Sequence, residues 1–258
     1  MKKQRRFMLF GGMCLCLAAA SVRAQNPTIN IMPMGDSVTA RGDNPESSYR
    51  YWLYRYLTNA GFENTLFVGN QNGVSDGTPA NSWPQEAYEN GGPSNDAWTT
   101  SDGVNNAASA AGILGTGPAI LLLDLGANDY NEGATSLKTN LLEVQANLQT
   151  IIQTFAAANS STVVLLAVPT PWVISDPPEP TEKKYMSELG SAITKAAKNQ
   201  RKAGVHVIVV NLHGGFNPRI GKDTTDGTHP DIKGEQMIAR KFFNALRPVL
   251  KKMEKQGL

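Results

Sequence analysis

The sequence predicts an α/β protein, a three-layer α/β/α sandwich built on a five-stranded, flavodoxin-like parallel sheet. Three observations carry that expectation. Short β-rich runs alternate along the chain with longer segments of helical period, the order that gives a parallel sheet with helices on both faces. One run, residues 119–125, is almost continuously apolar, as a strand covered on both faces must be. No internal repeat, linker or break in composition divides the chain, so residues 25–258 are expected to form one domain.

The elements follow in order. Residues 29–34 read as a first strand. A helix over 46–60 follows, with Tyr49, Trp52, Leu53, Tyr56, Leu57 and Ala60 on one face and Gly61 as its stop. Residues 65–68 form a second strand, and a Gly/Asn/Ser/Pro-rich loop runs from 69 to about 101, a length that is often functional. The apolar run 119–125 is the third strand. A helix with Leu141, Val144, Leu148, Ile151, Ile152 and Phe155 on one side leads to the fourth, 162–168. The loop 169–180 holds five prolines; a helix with Met186, Leu189, Ile193 and Ala197 then precedes the fifth strand, 205–210, and a last helix spans 232–250. In strand order 2-1-3-4-5, the ends of strands one and three flank the reversal, where ligands bind in such sheets. Ser37 follows the first of these strands and Asn128 the second.

Residues 1–24 read as a signal peptide. Lys2, Lys3, Arg5 and Arg6 form a basic start, residues 7–20 are apolar, and Val22-Arg23-Ala24 supplies small residues at a cleavage site. The apolar run falls short of the ~20 residues a spanning helix needs, and no later run reaches that length. The expectation is a secreted, extracellular or periplasmic protein with no membrane association after cleavage. Charge agrees with this division. The full sequence has a net charge of +2 from 24 Lys and Arg against 22 Asp and Glu. Five basic residues and no acidic ones belong to the leader, so the mature chain is net acidic. It offers no basic stripe for nucleic acid. Cys14 and Cys16, the only two cysteines, also leave with the leader. That excludes a thiol nucleophile, a cysteine metal site and a disulfide from the mature domain, which must be held by burial alone.

Two short strings at opposite ends of the chain carry the chemistry. Met34-Gly35-Asp36-Ser37 places a serine directly after the first strand, and Asp226-Gly227-Thr228-His229-Pro230 places a carboxylate and an imidazole three residues apart. A serine hydroxyl attacks well only when a base takes its proton. Of the three histidines, His206 sits within a strand pattern and His213 just past it, where local structural roles account for both. His229 has Asp226 to fix its tautomer, leaving the second ring nitrogen for Ser37. An acyl-transfer site also needs donors for a developing oxyanion. The Ser37 N–H and the Asn128 side chain are candidates, and a loop glycine is expected to give a third.

Gly35-Asp36-Ser37 followed by Gly42, the Gly-x-Asn-Asp string ending at Asp129, and Asp226-x-x-His229-Pro230 occur in the order and spacing of the GDSL/SGNH hydrolases, which the chain resembles over nearly its whole mature length. Residues 31–39, Tyr49-Arg50 with Leu53, and Phe67-Val68-Gly69 look like the family-three carbohydrate esterases, the acetylxylan esterase type. The resemblance implies the SGNH hydrolase fold, with Ser37 as nucleophile, His229 as base and acid, and Asp226 as its orienter. The oxyanion hole would comprise Ser37 N–H, Asn128 and a glycine from the second conserved block. Relatives often read Glu-Gly-His-Ser-Gly-Trp-Thr there. This chain reads Glu89-Asn90-Gly91-Gly92-Pro93-Ser94-Asn95-Asp96-Ala97-Trp98-Thr99; Gly92 keeps the Gly-x-Ser pattern, with Gly91 as the alternative. Substrate contacts are expected at Asp36, Trp98 and Asp129. Trp83, Tyr88 and Trp98 either stack on sugar rings or pin the long loop to the body.

The activity implied is hydrolysis of O-acetyl esters on a carbohydrate such as acetylxylan. No metal or cofactor is expected, since no His/Asp cluster has ligand spacing. The partner is the acetylated carbohydrate, with no nucleic acid, and the chain is taken as a monomer. A lipolytic or aryl esterase (lysophospholipase- or thioesterase-like) on the same site is the alternative, disfavoured by the polar long loop. A carbohydrate-binding protein with a vestigial site would lack triad residues that are present here, and Gly35-Asp36-Ser37-Val38 is no phosphate-cradling loop of a nucleotide binder. Asn159-Ser160-Ser161 is a glycosylation acceptor pattern.

Overall fold

The computed structural model describes residues 27–40, 48–69, 71–72, 86–87, 98–130, 136–173 and 180–258 of the 258. The expected leader, both candidate block-two glycines, Trp83 and Tyr88 lie outside the described residues.

Five strands form one all-parallel sheet: β1 (Ile29–Gly35), β2 (Thr65–Phe67), β5 (Ala119–Asp124), β6 (Val163–Val168) and β7 (His206–Asn211), in spatial order β2-β1-β5-β6-β7. This is the expected 2-1-3-4-5 order. β5 and β6 are buried along their whole length, because helices cover both faces. Side chains alternate accordingly. Met32, Met34, Leu121, Leu123, Val164 and Leu166 face one layer; Ile29, Ile31, Ile120, Leu122, Leu165 and Ala167 face the other.

The first layer holds α3 (Thr100–Leu114), α4 (Leu137–Ala158) and α5 (Pro180–Lys202); the second holds α2 (Tyr49–Asn59) and α6 (Ile232–Lys255). Leu141, Val144, Leu148, Ile151, Ile152 and Phe155 of α4 and Met186, Leu189, Ile193 and Ala197 of α5 are buried against the sheet, as their spacing predicts. On the other side Tyr49 stacks on Phe242 at 5.3 Å between ring centroids.

Three features depart from the sequence reading. The long loop includes a short antiparallel pair, β3 (Gln71–Asn72) and β4 (Glu86–Ala87). The helix α3 was not expected, since its Gly, Ala, Ser and Asn residues show no large apolar period. Its start is nonetheless encoded by a capping box, in which Thr99 Oγ1 accepts from the Asp102 N–H and Asp102 Oδ2 accepts from the Thr99 N–H. Small residues are what its packing requires, for a Cβ on Gly103 would stand 2.7 Å from Leu125 and 2.8 Å from Ile151. The last helix also runs on past Pro248 to Lys255. Asn159 is committed internally: its amide donates to the Gly115 and Gly117 carbonyls and its Oδ1 accepts from Ser161. That engaged, buried side chain is poorly placed as a glycan acceptor.

Among the described residues no helix is long and apolar enough to cross a membrane. Replacing Phe242, which is fully buried between α2 and the sheet, by Ala is expected to cost about 3–5 kcal/mol, read as a lower urea midpoint with an unchanged slope.

Candidate active site

The first string forms a tight turn at the carboxyl end of β1. β1 ends at Gly35, Asp36 makes the bend, and Ser37 opens the one-turn helix α1 (Ser37–Ala40). A Cβ on Gly35 would lie 2.2 Å from Thr39 Oγ1 and 2.7 Å from the Asp124 carbonyl oxygen, so the turn closes only around glycine. The Asp36 carbonyl accepts from the Thr39 and Ala40 N–H groups, and its Oδ1 from the Val38 N–H at 3.0 Å. Beneath, Arg50 is buried and donates to the Ala40 carbonyl at 2.8 Å and to Ser48 Oγ at 2.9 Å, which fixes the far end of α1. Ser37 is 9% exposed at the carboxyl rim of the sheet.

The second string lies in the loop before α6. Gly227 has φ of +94° and packs so closely that a Cβ would stand 2.8 Å from the Val173 carbonyl; its own carbonyl accepts from the Val173 N–H at 2.9 Å. The Gly227 N–H donates to Thr224 Oγ1. Asp231 caps α6 by accepting from the Gly234 N–H at 2.8 Å. Clamped at both ends, the loop brings His229 to the rim.

The two strings meet. His229 Nε2 lies 3.0 Å from Ser37 Oγ, across 192 residues of sequence. His229 Nδ1 lies 2.6 Å from Asp226 Oδ2, and Asp226 Oδ1 accepts from the Thr228 and His229 N–H groups at 2.8 and 2.7 Å. Partial burial opposes ionisation of Asp226, but the His229 ring and these two backbone donors outweigh it and hold the carboxyl below its ordinary range. His206 is exposed on β7 and His213 half-buried just beyond it. Burial and the nearby Lys241 lower His213 as a base.

Asn128 stands on the 3₁₀ turn Ala127–Asp129 that follows β5. Its Nδ2 donates to the Trp98 carbonyl at 3.2 Å and makes a longer contact of 3.4 Å with Asp36 Oδ2. The amide is therefore tied to the residue that precedes Ser37.

The expected substrate contacts fare differently. Trp98 is 3% exposed and belongs to the apolar core on the α3, α4 and α5 side of the sheet, so its ring is not available to stack on a sugar. Asp129 turns its carboxylate to the amino end of α3, accepting from the Thr100 N–H at 2.9 Å and from Thr100 Oγ1 at 2.5 Å. Its carbonyl accepts from Asn140 Nδ2 at 2.8 Å. That carboxylate anchors a helix rather than a ligand. Asp36 is likewise buried and engaged internally. Arg50, under α1, has no role in the chemistry read from the sequence, although its burial makes it the support of the turn. Among the described residues no group of three or more His, Cys, Asp or Glu side chains gathers as a metal site would need.

A family model, GDSL-like Lipase/Acylhydrolase, matches residues 31–242. None of the curated proteins matches the chain. Among solved structures, a carbohydrate esterase of family 3 from Talaromyces cellulolyticus is 24% identical with a TM-score of 0.66, the alignment covering 87% of this chain and 99% of that one. A family 3 carbohydrate esterase from Clostridium thermocellum is 23% identical with a TM-score of 0.62, covering 88% and 98%. A serine-to-alanine variant of an acetyl esterase, solved with acetate ion, is 22% identical with a TM-score of 0.65, covering 87% and 99%. These likenesses establish the shared fold.

Gly227→Ala combines a left-handed backbone with a close approach. It is expected to lose about 1–3 kcal/mol, seen in urea unfolding, and to slow labelling of Ser37 by a phosphonate probe as His229 is displaced.

Proposed function

The chain belongs to the GDSL-like lipase/acylhydrolase family, and we propose that it is a secreted serine esterase that removes O-acetyl groups from a carbohydrate such as acetylxylan. The observation that carries the reading is the unbroken hydrogen-bonded line from Asp226 through His229 to Ser37. Such a line does the work of a catalytic triad.

In this reading His229 Nε2 takes the Ser37 Oγ proton as the oxygen attacks the acetyl carbonyl. Asp226 keeps the Nδ1 hydrogen on its own side and balances the imidazolium that forms. The negative charge on the carbonyl oxygen is met by the Ser37 N–H and by Asn128 Nδ2, which exchanges its longer contact with Asp36 for the oxyanion. His229 returns the proton to the departing sugar oxygen, leaving an acetyl-serine. Water, deprotonated by His229, then attacks that ester; acetate leaves, and Ser37 Oγ recovers its proton. The third donor assigned by resemblance, Gly92 or Gly91, belongs to the same step.

The acetyl preference is supported by the fold shared with an acetyl esterase and with family 3 carbohydrate esterases. A small acyl group needs no apolar groove, and the polar composition of residues 69–97 suits a hydroxyl-rich substrate. The basic, apolar leader supports secretion.

Ser37→Ala is expected to lower kcat on an aryl acetate by about 10⁴-fold or more while changing the free energy of unfolding in urea by no more than about 1 kcal/mol. Acetate release from acetylated xylan should fall in parallel, and octanoyl esters should turn over far more slowly than acetyl esters. Undiminished turnover by Ser37→Ala would overturn the esterase reading; efficient octanoyl hydrolysis would overturn the acetyl preference alone.

A further inference from the structure

The Asn128 amide is held only loosely by its own hydrogen bonds. Its acceptors, the Trp98 carbonyl at 3.2 Å and Asp36 Oδ2 at 3.4 Å, lie at the long end of hydrogen-bonding distance, and the second is given up in the step above. The direction of the amide therefore depends on the backbone that carries it, the 3₁₀ turn Ala127–Asp129. No side chain caps the start of that turn, where Gly126 has φ of +120°. What holds it there comes from α5.

Tyr185 and Leu189 stand one turn apart on α5, on the same face, and bracket Gly126. The Tyr185 hydroxyl donates to the Gly126 carbonyl across 59 residues of sequence. On the other side, a Cβ on Gly126 would stand 3.3 Å from Leu189 Cδ1 and 3.5 Å from Val144 Cγ1. Tyr185 and Gly126 are both buried. Burial, and then the charge of Asp129, keep the Tyr185 hydroxyl protonated, so it remains a donor. The Tyr185 ring also reaches the far end of the turn. Tyr130, which follows Asp129, packs on Tyr185 at 5.4 Å between ring centroids and on Trp172 at 5.8 Å. Its Oη lies 2.8 Å from Thr181 Oγ1. One side chain thus touches the residues on both sides of the turn, Gly126 and Tyr130.

We propose that Tyr185 is a positioning residue for ester hydrolysis: its hydroxyl on the Gly126 carbonyl and its ring against Tyr130 fix the turn from which Asn128 aims its amide at the oxyanion. It acts through Asn128 and touches no reacting atom. Its effect on turnover rests on the esterase reading, whereas its hold on the placement of Asn128 does not. Without the hydroxyl, the buried Gly126 carbonyl is left unpaired, which is costly, and the turn shifts to find another donor. The Asn128 amide moves with it. Because that amide is needed once charge develops on the acetyl oxygen, the loss falls on kcat rather than KM.

Tyr185→Phe keeps the ring and its packing on Tyr130 and removes only the donor. On an aryl acetate, kcat of Y185F should fall at least about threefold, bounded by the ~100- to 1,000-fold that losing a whole oxyanion donor costs, with KM unchanged. In Asn128→Ala no amide remains to be misplaced, so adding Y185F should change kcat by less than about twofold. A smaller loss in the parent, or the same factor in both backgrounds, overturns the proposal, since general loosening of the fold would act alike in both. A second arm needs no turnover. In heteronuclear NMR spectra the Asn128 side-chain amide pair, identified as the one that N128A removes, should move between the parent and Y185F; a pair that stays in place overturns the proposal. Should the parent prove inactive, the esterase reading fails and this arm alone decides on Tyr185.

Discussion

The adjacency of β1 and β5 governs the carboxyl rim of this protein. From β1 the chain crosses outward to β2, and β5 then pairs on the other side, so the loops leaving β1 and β5 diverge and open a crevice between them. Ser37 is the first helical residue after one strand, and Asn128 stands on the turn after the other. Parallel register fixes this relation, for Gly35 and Asp124 are paired at the last rung. Had the order not reversed there, helices would close the space above these ends. The serine turn, the amide of Asn128 and the buried carboxyls all take their places from that rung.

Burial of acidic groups at the rim is resolved in three different ways. Asp129 is satisfied by the amino end of α3, a helix terminus that carries unpaired N–H groups. Asp226 remains half-exposed, with 52% of its side-chain surface open, and is satisfied by two backbone donors and an imidazole. Asp36 lies deepest beside Ser37 and is satisfied by the Val38 N–H and the Asn128 amide. The same side chain is thus a helix anchor, the partner of an imidazole, or a buried acid according to how many N–H groups its backbone surroundings present.

The sheet and the helices α2, α4, α5 and α6 were legible because each puts large apolar residues at a fixed period. α3 was not: Gly103, Ala107, Ala110 and Ala111 pack by being small, and smallness leaves no mark on a hydrophobic pattern. Only the Thr99–Asp102 box announced it. Ser37, Asp226 and His229 could be singled out because a nucleophile and a base need those residue types at those strand and helix ends. The directions of Trp98 and Asp129 were not legible in the same way. An aromatic or a carboxylate near a rim reads as a ligand contact, whereas packing density and helix termini decide its direction, and neither is written in local sequence.

Asp226 and His229 are joined within four consecutive residues, by backbone as well as side-chain hydrogen bonds, while Ser37 reaches them, among the described residues, through one hydrogen bond. The imidazole and its carboxylate therefore travel as one cassette. Any shift of the segment after β7 opens one gap, between nitrogen and hydroxyl, and leaves the pair itself ready. Separation and return of the nitrogen and the hydroxyl become a matter of docking, reversible without rebuilding the imidazole–carboxylate pair.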